Sequence, residues 1–191
     1  MYFKHPKTGQ GFPYKIIKKP RVKNLNLKIL KNREVQIIIP QSRLYNISQR
    51  KVEKILKDKF NFIISALKRY EKLAQKYPDL FDFTESHYRQ HRKQSQELIK
   101  SKVDYYCRQH NFQYNRISIR NQSTRWGSCS SKGNLNFSYK IIFLLPEEQD
   151  YIIVHELCHL REQNHSRDFW NLVEEILPEY KNIHKSIKDK S

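Results

Sequence analysis

The hydrophobic positions of this chain change their period along its length, and the period predicts the elements. From Tyr14 to Ile39 apolar and polar residues alternate, which predicts strands at Tyr14 to Lys18, Asn24 to Leu30 and Val35 to Ile39. A polar turn at Lys31-Asn32-Arg33 and a stop at Pro40 make these a small antiparallel meander. Ser48 then suits the cap of a long helix reaching about Lys76, because Val52, Ile55, Leu56, Phe60, Ile63, Ile64, Leu67 and Leu73 recur at helical spacing. Tyr77 to Phe83, with Pro78, reads as a loop. A second helix is expected from about Glu85 or Ser95 to Gln109, with Leu98, Ile99, Val103 and Tyr106 on its apolar side. Alternation returns at Ile117 and Ile119, and strands are expected again at Asn134 to Ser138 and Lys140 to Leu145, after a turn-rich segment containing Gly127 and Gly133. Pro146 opens another helix at the position where its missing N–H costs nothing, and Glu147, Glu148 and Asp150 place negative charge at the positive helix end. Strands and helices in this order predict an α+β fold.

The helix that Pro146 opens carries the chemistry. Residues 155 to 165 read His-Glu-Leu-Cys-His-Leu-Arg-Glu-Gln-Asn-His. On a helix, His155 and His159 share one face about 6 Å apart along the axis, a spacing at which two imidazoles grip one zinc ion. Glu156 lies about 100° round from His155, where a carboxylate can take a proton from a water that the metal polarises. His165 can close the site as a third ligand, and three protein ligands with one open position describe a catalytic rather than a structural zinc site. Tyr151 to Val154, Leu157 and Leu160 place the motif on a buried helix, where polar groups without partners are costly. Asn164 is expected in the left-handed conformation, turning His165 back towards the other two imidazoles. Ser166 is expected to cap a following helix with Phe169, Val173, Ile176 and Leu177 on its apolar face, closed by Pro178. His87 and His91 are also four apart, but nothing beside them supplies a third ligand, and they read as a solvated helix face.

Composition narrows the setting. A length of 191 residues suits one domain, 1–191, with amino-terminal strands over 14–40, helices over 48–110 and a metal-site core over 116–185. The longest apolar run, Ile141 to Leu145, is far too short for a membrane span, and the residues from Met1 to Pro6 lack the apolar core of a secretion signal. Three cysteines, Cys107, Cys129 and Cys158, do not form a disulfide framework, so a reducing, cytoplasmic setting is expected. Cys158 reads as a small core residue. The net charge of +18, from 37 Lys and Arg against 19 Asp and Glu, allows weak association with nucleic acid. The opposing reading is that the lysines are scattered and reflect a genome-wide habit. The densest basic stretch, Lys15 to Lys31, alternates with apolar residues as the solvated face of strands does.

Three motifs in order, Arg125-Trp126-Gly127-Ser128-Cys129, His155-Glu156-Leu157-Cys158-His159, and Asn164-His165-Ser166 with Phe169-Trp170, resemble the YgjP-like metal-dependent hydrolases. These are related to zincin-type metallopeptidases and similar to SprT-like proteases around the metal helix. The resemblance covers most of the chain. It implies a zincin-like domain with a small antiparallel sheet beside the metal helix and bracing helices, with His155, His159 and His165 as metal ligands and Glu156 as general base. Metzincins share the spacing from the second to the third histidine but place a glycine where this chain has Glu162, which points to a different turn. Glu174 and Glu175 are read as solvated or outer residues rather than ligands.

Substrate contacts are assigned on residue chemistry alone. Arg125 suits a substrate carboxylate or phosphate, or equally a structural ion pair. Asn136 and Tyr139 are candidates for stabilising developing oxyanion charge. Trp126 reads as core and Gly127 as a tight turn. Ser128 and Cys129 are discounted as nucleophiles, since an activated water makes a covalent step unnecessary. The expected activity is zinc-dependent hydrolysis of metallopeptidase type, with one ion, another divalent metal being the alternative. The substrate is expected to be a peptide, a protein or a nucleotide. The rival readings are hydrolysis of a nucleotide phosphoanhydride and a nucleic-acid-binding module with a secondary zinc. The first lacks a glycine-rich phosphate loop, as only four glycines occur.

Overall fold

The computed structural model describes residues 1–41 and 47–190 and divides the chain into two compact units, Met1–Phe81 and Asp82–Ser191. The helical block expected over 48–110 is therefore shared between them.

In the first unit, β1 (Tyr2–Lys4), β2 (Gly11–Lys19), β3 (Asn26–Ile29) and β4 (Val35–Pro40) form one sheet in the order β1-β2-β4-β3. β2 and β4 run parallel, from Tyr14 opposite Val35 to Lys19 opposite Pro40, while β3 pairs antiparallel with β4. The expected antiparallel meander is thus corrected: β2 and β3 are not neighbours. The reason lies in β4. Val35, Ile37, Ile38 and Ile39 are all buried, a burden carried by a central strand, whereas β2 buries residues only at intervals and β3 buries none fully. β1 is too short to show a period and is held by Phe3 opposite Phe12.

Ser48 caps α1 (Gln49–Asp58), its side chain accepting from the Lys51 amide. The helix expected to run on to Lys76 breaks at Lys59, and α2 (Phe60–Lys76) starts afresh. Just after the break, Phe60 packs against Phe3, His5 and Phe12. Pro78 opens a single helical turn, α3 (Pro78–Phe81), where a loop is expected.

In the second unit, α4 (Glu85–His110) is capped at its start by Thr84 and at its end by Asn111 in the left-handed conformation, φ 54°. The strands β5 (Arg116–Arg120), β6 (Gly127–Cys129) and β7 (Asn134–Ser138) form a sheet ordered β5-β7-β6. β5 and β7 are parallel, and only β6 and β7 are antiparallel, so this sheet too is mixed rather than antiparallel. Tyr139–Phe143 is a 3₁₀-helix opened by the Ser138 side chain, where a strand over Lys140 to Leu145 is expected. Its short run of β-branched and aromatic residues has no period that separates the two forms.

Three helices follow: α5 (Pro146–Cys158), α6 (Arg167–Ile176) and α7 (Tyr180–Asp189). α5 is the hub of this unit and contacts α4, β6, α6 and α7. From Tyr151 to Cys158 it is buried except at His155. Lys102 on α4 meets Asp150 at 2.6 Å, and Ser186 and Lys190 each reach Glu148 at 2.5 Å, so α5 is fastened on two sides. Among the described residues no helix is long and apolar enough to cross a membrane. Ile153 has no exposed surface. Ile153→Ala is expected to lower stability by about 2–5 kcal/mol, because the side chain leaves a cavity at this hub. A urea melt measures the loss.

Candidate metal centre

Helix α5 ends at Cys158, so His155 lies in its last turn and His159 occupies the C-cap. The Glu162 amide closes a further turn onto the Cys158 carbonyl at 2.9 Å, and the chain reaches α6 through His165. Asn164 is not in the left-handed conformation that the sequence suggests; among the described non-glycine residues only Arg21, Arg33 and Asn111 have positive φ. The turn is made instead by the Asn164 carbonyl accepting from the Ser166 amide at 2.8 Å. Ser166 then caps α6, accepting from the Phe169 amide at 3.3 Å.

This path gathers three imidazoles. One nitrogen from each of His155, His159 and His165 lies within 4.8 Å of the other two. The Nε2 atoms of His155 and His165 are 3.0 Å apart, close to the roughly 3.3 Å that two nitrogens on one tetrahedral zinc would show. Phe169 stacks on His159 with ring centroids 4.5 Å apart, and Trp170 stacks on His165 at 5.7 Å. Burial, with the neighbouring His159 and His165 adding, pushes the His155 pKa down to about 3. Burial and His159 also lower that of His165. Such rings stay neutral with lone pairs free, and the donor set fits a divalent cation.

The opposite ring nitrogens have partners suited to hold them in that role. His159 Nδ1 faces the Glu162 carbonyl at 2.9 Å, and an N–H there leaves Nε2 as the free donor atom. His155 Nδ1 is 3.5 Å from the Tyr151 hydroxyl, which lies 2.5 Å from Nδ1 of His184 on α7. With Nε2 of His155 used as a ligand, its Nδ1–H donates to Tyr151 and the phenol donates to His184. Tyr151 and His184 were missed in the sequence. Tyr151 is legible afterwards as one turn before His155, but His184 arrives from another helix with no spacing signal.

Glu156 is only 6% exposed. Burial pushes its carboxyl up to about 8, opposed by the charge of Arg125 and by a backbone hydrogen bond from Cys129. The bond reaches it because Trp126 and Ser130 turn their backbone groups towards β7, at 2.7 Å and 3.0 Å, which points those of Gly127 and Cys129 to the outer edge of β6. A Cβ at Gly127 would stand 2.6 Å from Glu156 Cγ and 2.7 Å from Oε1. Gly127 therefore serves close approach to the carboxylate, not the tight turn expected of it.

The other candidate residues are placed differently. Arg125 is exposed and near enough to Glu156 to act on its charge. Asn136, on β7, approaches Ser128 Oγ at 3.4 Å. Tyr139 is fully buried, with its hydroxyl bonded to His87 Nδ1 at 2.9 Å and the Asp82 carbonyl at 3.0 Å, so it is spent on packing rather than open to substrate. His87 and His91 are half-buried against Phe143, not on a solvated face. Burial and the nearby Glu156 push the Cys129 thiol up to about 11, which leaves little thiolate for nucleophilic work.

Tyr151→Phe keeps the ring and deletes the hydroxyl. It is expected to weaken metal affinity about tenfold or more, measured by competition with a chromophoric chelator. Unchanged affinity would show that packing alone orients His155.

The profile of the YgjP-like family, metallopeptidase domain, matches residues 83–190, more than half of the chain. Curated proteins give no match. Among solved structures the chain is similar to the metallopeptidase zymogen abylysin of Pyrococcus abyssi, at 28% identity and a TM-score of 0.44, over 48% of this chain and 93% of that one. The chain belongs to the YgjP-like metallopeptidase domain family and is a metal-dependent hydrolase.

Proposed function

We propose that the chain hydrolyses peptide bonds with one zinc ion held by His155, His159 and His165, and with Glu156 as general base. The observation that carries this reading is the convergence of three imidazoles at the end of α5, with the buried Glu156, which follows His155 on that helix, packed against the bare backbone of Gly127. A divalent ion bound there supplies Lewis-acid polarisation of a carbonyl and of a water molecule. Zinc is favoured over harder cations because all three donors are imidazole nitrogens.

The protein's own groups do the proton work. Glu156 accepts the proton of the attacking water at a carboxylate oxygen and returns it to the departing amine nitrogen. Burial that raises its pKa makes it a stronger base, while Arg125 and the Cys129 amide keep it ionised often enough to act. A bound cation favours the ionised form further. β6 is the edge strand of its sheet. The outward N–H and C=O of Gly127 offer an extended peptide a backbone partner beside Glu156. This arrangement favours a peptide over a nucleotide, for which no phosphate cradle of glycines exists in the sequence.

Glu156→Gln preserves shape and removes the base. It is expected to retain bound metal, by elemental analysis, while hydrolysis of a casein or peptide panel falls at least about a hundredfold. Full activity in this variant would sink the mechanism. Gly127→Ala is expected to cost at least about tenfold in kcat with little change in metal content, since its Cβ must displace the Glu156 side chain.

A further inference from the structure

The positive charge is not spread along the chain. Residues 1–81 carry 20 Lys and Arg against 5 Asp and Glu, a net +15, and residues 82–191 carry 17 against 14, a net +3. A genome-wide lysine habit would load both units alike and would not deplete acids in one of them. The excess belongs to the amino-terminal unit, which lies outside the matched metallopeptidase domain.

Within that unit the charge converges on a groove of about 530 Å³ between β1 and α1. Arg50, Lys54 and Lys57 fall at i, i+4 and i+7 of α1, so one helix face presents all three. Lys4 on β1 also lines the groove, and the sole carboxylate in the lining is Glu53. Among the described residues none of these four cations sits in an ion pair. Four cations set against one carboxylate repel one another, and an anion spanning several of them relieves the repulsion. Tyr2, 64% exposed, stands in the same lining and offers a flat aromatic face.

We propose that the β1–α1 groove binds single-stranded nucleic acid, with Lys4, Arg50, Lys54 and Lys57 on successive phosphates and Tyr2 stacked on a base. Cations in a row with an exposed ring form the usual recognition set for a single strand. A duplex keeps its base faces inside the stack, out of reach of Tyr2. A membrane surface would call for a protruding apolar face beside the cations, and this site is a groove.

The test is fluorescence anisotropy of a labelled oligo-dT with the full chain, titrated over salt. Arg50→Glu/Lys54→Glu/Lys57→Glu is compared with Lys18→Glu/Lys19→Glu/Lys28→Glu, which makes the same charge change at exposed positions on the sheet. The groove variant is expected to raise Kd at least about tenfold beyond the sheet variant and to flatten the log–log salt slope by about 2. Tyr2→Ala is expected to raise Kd several-fold with the slope unchanged, about the loss of one stacked base. Equal losses in the two charge variants would overturn the proposal, as would binding to anionic phospholipid vesicles with none to oligo-dT. Gln at the same three positions repeats the comparison if the Glu variant loses its folded circular-dichroism signal.

Discussion

A carboxylate buried beside three imidazoles is the constraint on which the catalytic unit is built. Taking Glu156 out of water costs free energy unless charge and hydrogen bonds compensate, and here they come from Arg125 and the Cys129 amide. Both partners sit on or next to β6, so the strand and the helix must approach closely. That approach is possible only where the strand has no side chain, at Gly127. A divalent cation held as proposed by the three imidazoles would complete the compensation and make folding, metal binding and basicity aspects of one electrostatic problem.

Helix α5 answers that problem by being held from several directions. Its buried face from Tyr151 to Cys158 gives it almost no freedom to rotate, so His155 and Glu156 inherit a fixed azimuth. α6 contributes the aromatic wall of Phe169 and Trp170, and α7 contributes His184 behind Tyr151. The two carboxy-terminal helices thus do for the three imidazoles what rigid packing does for any preorganised site: they fix ring orientation. The amino-terminal unit is organised differently, with an apolar sheet core around Ile37 and Phe60 and a surface given over to cations.

Several expectations failed for a common reason. Strand direction in both sheets depends on which strand is central, and alternation says nothing of that; it took the full burial of β4 to decide it. Tyr139 has the chemistry of an oxyanion donor, yet its hydroxyl is committed to His87 and the Asp82 backbone. The His87/His91 pair reads as surface because its partner, Phe143, comes from a 3₁₀-helix more than 50 residues away. The break at Lys59 falls beside Phe60, whose partners Phe3 and Phe12 come from the sheet and leave no mark on helical periodicity.

What the sequence by itself determined is local. The spacing of His155 and His159, the acid beside them, the caps at Ser48 and Ser166 and the proline that opens α5 all act within one or two helical turns, where geometry follows from neighbours along the chain. The reach of His165 back to His155, the bare edge of Gly127 under Glu156, the Tyr151–His184 contact and the convergence of α1 cations on β1 belong to the tertiary structure. Those contacts join residues separated by turns or whole elements. Their distances are set by packing between surfaces, and a one-dimensional pattern holds no coordinate for that.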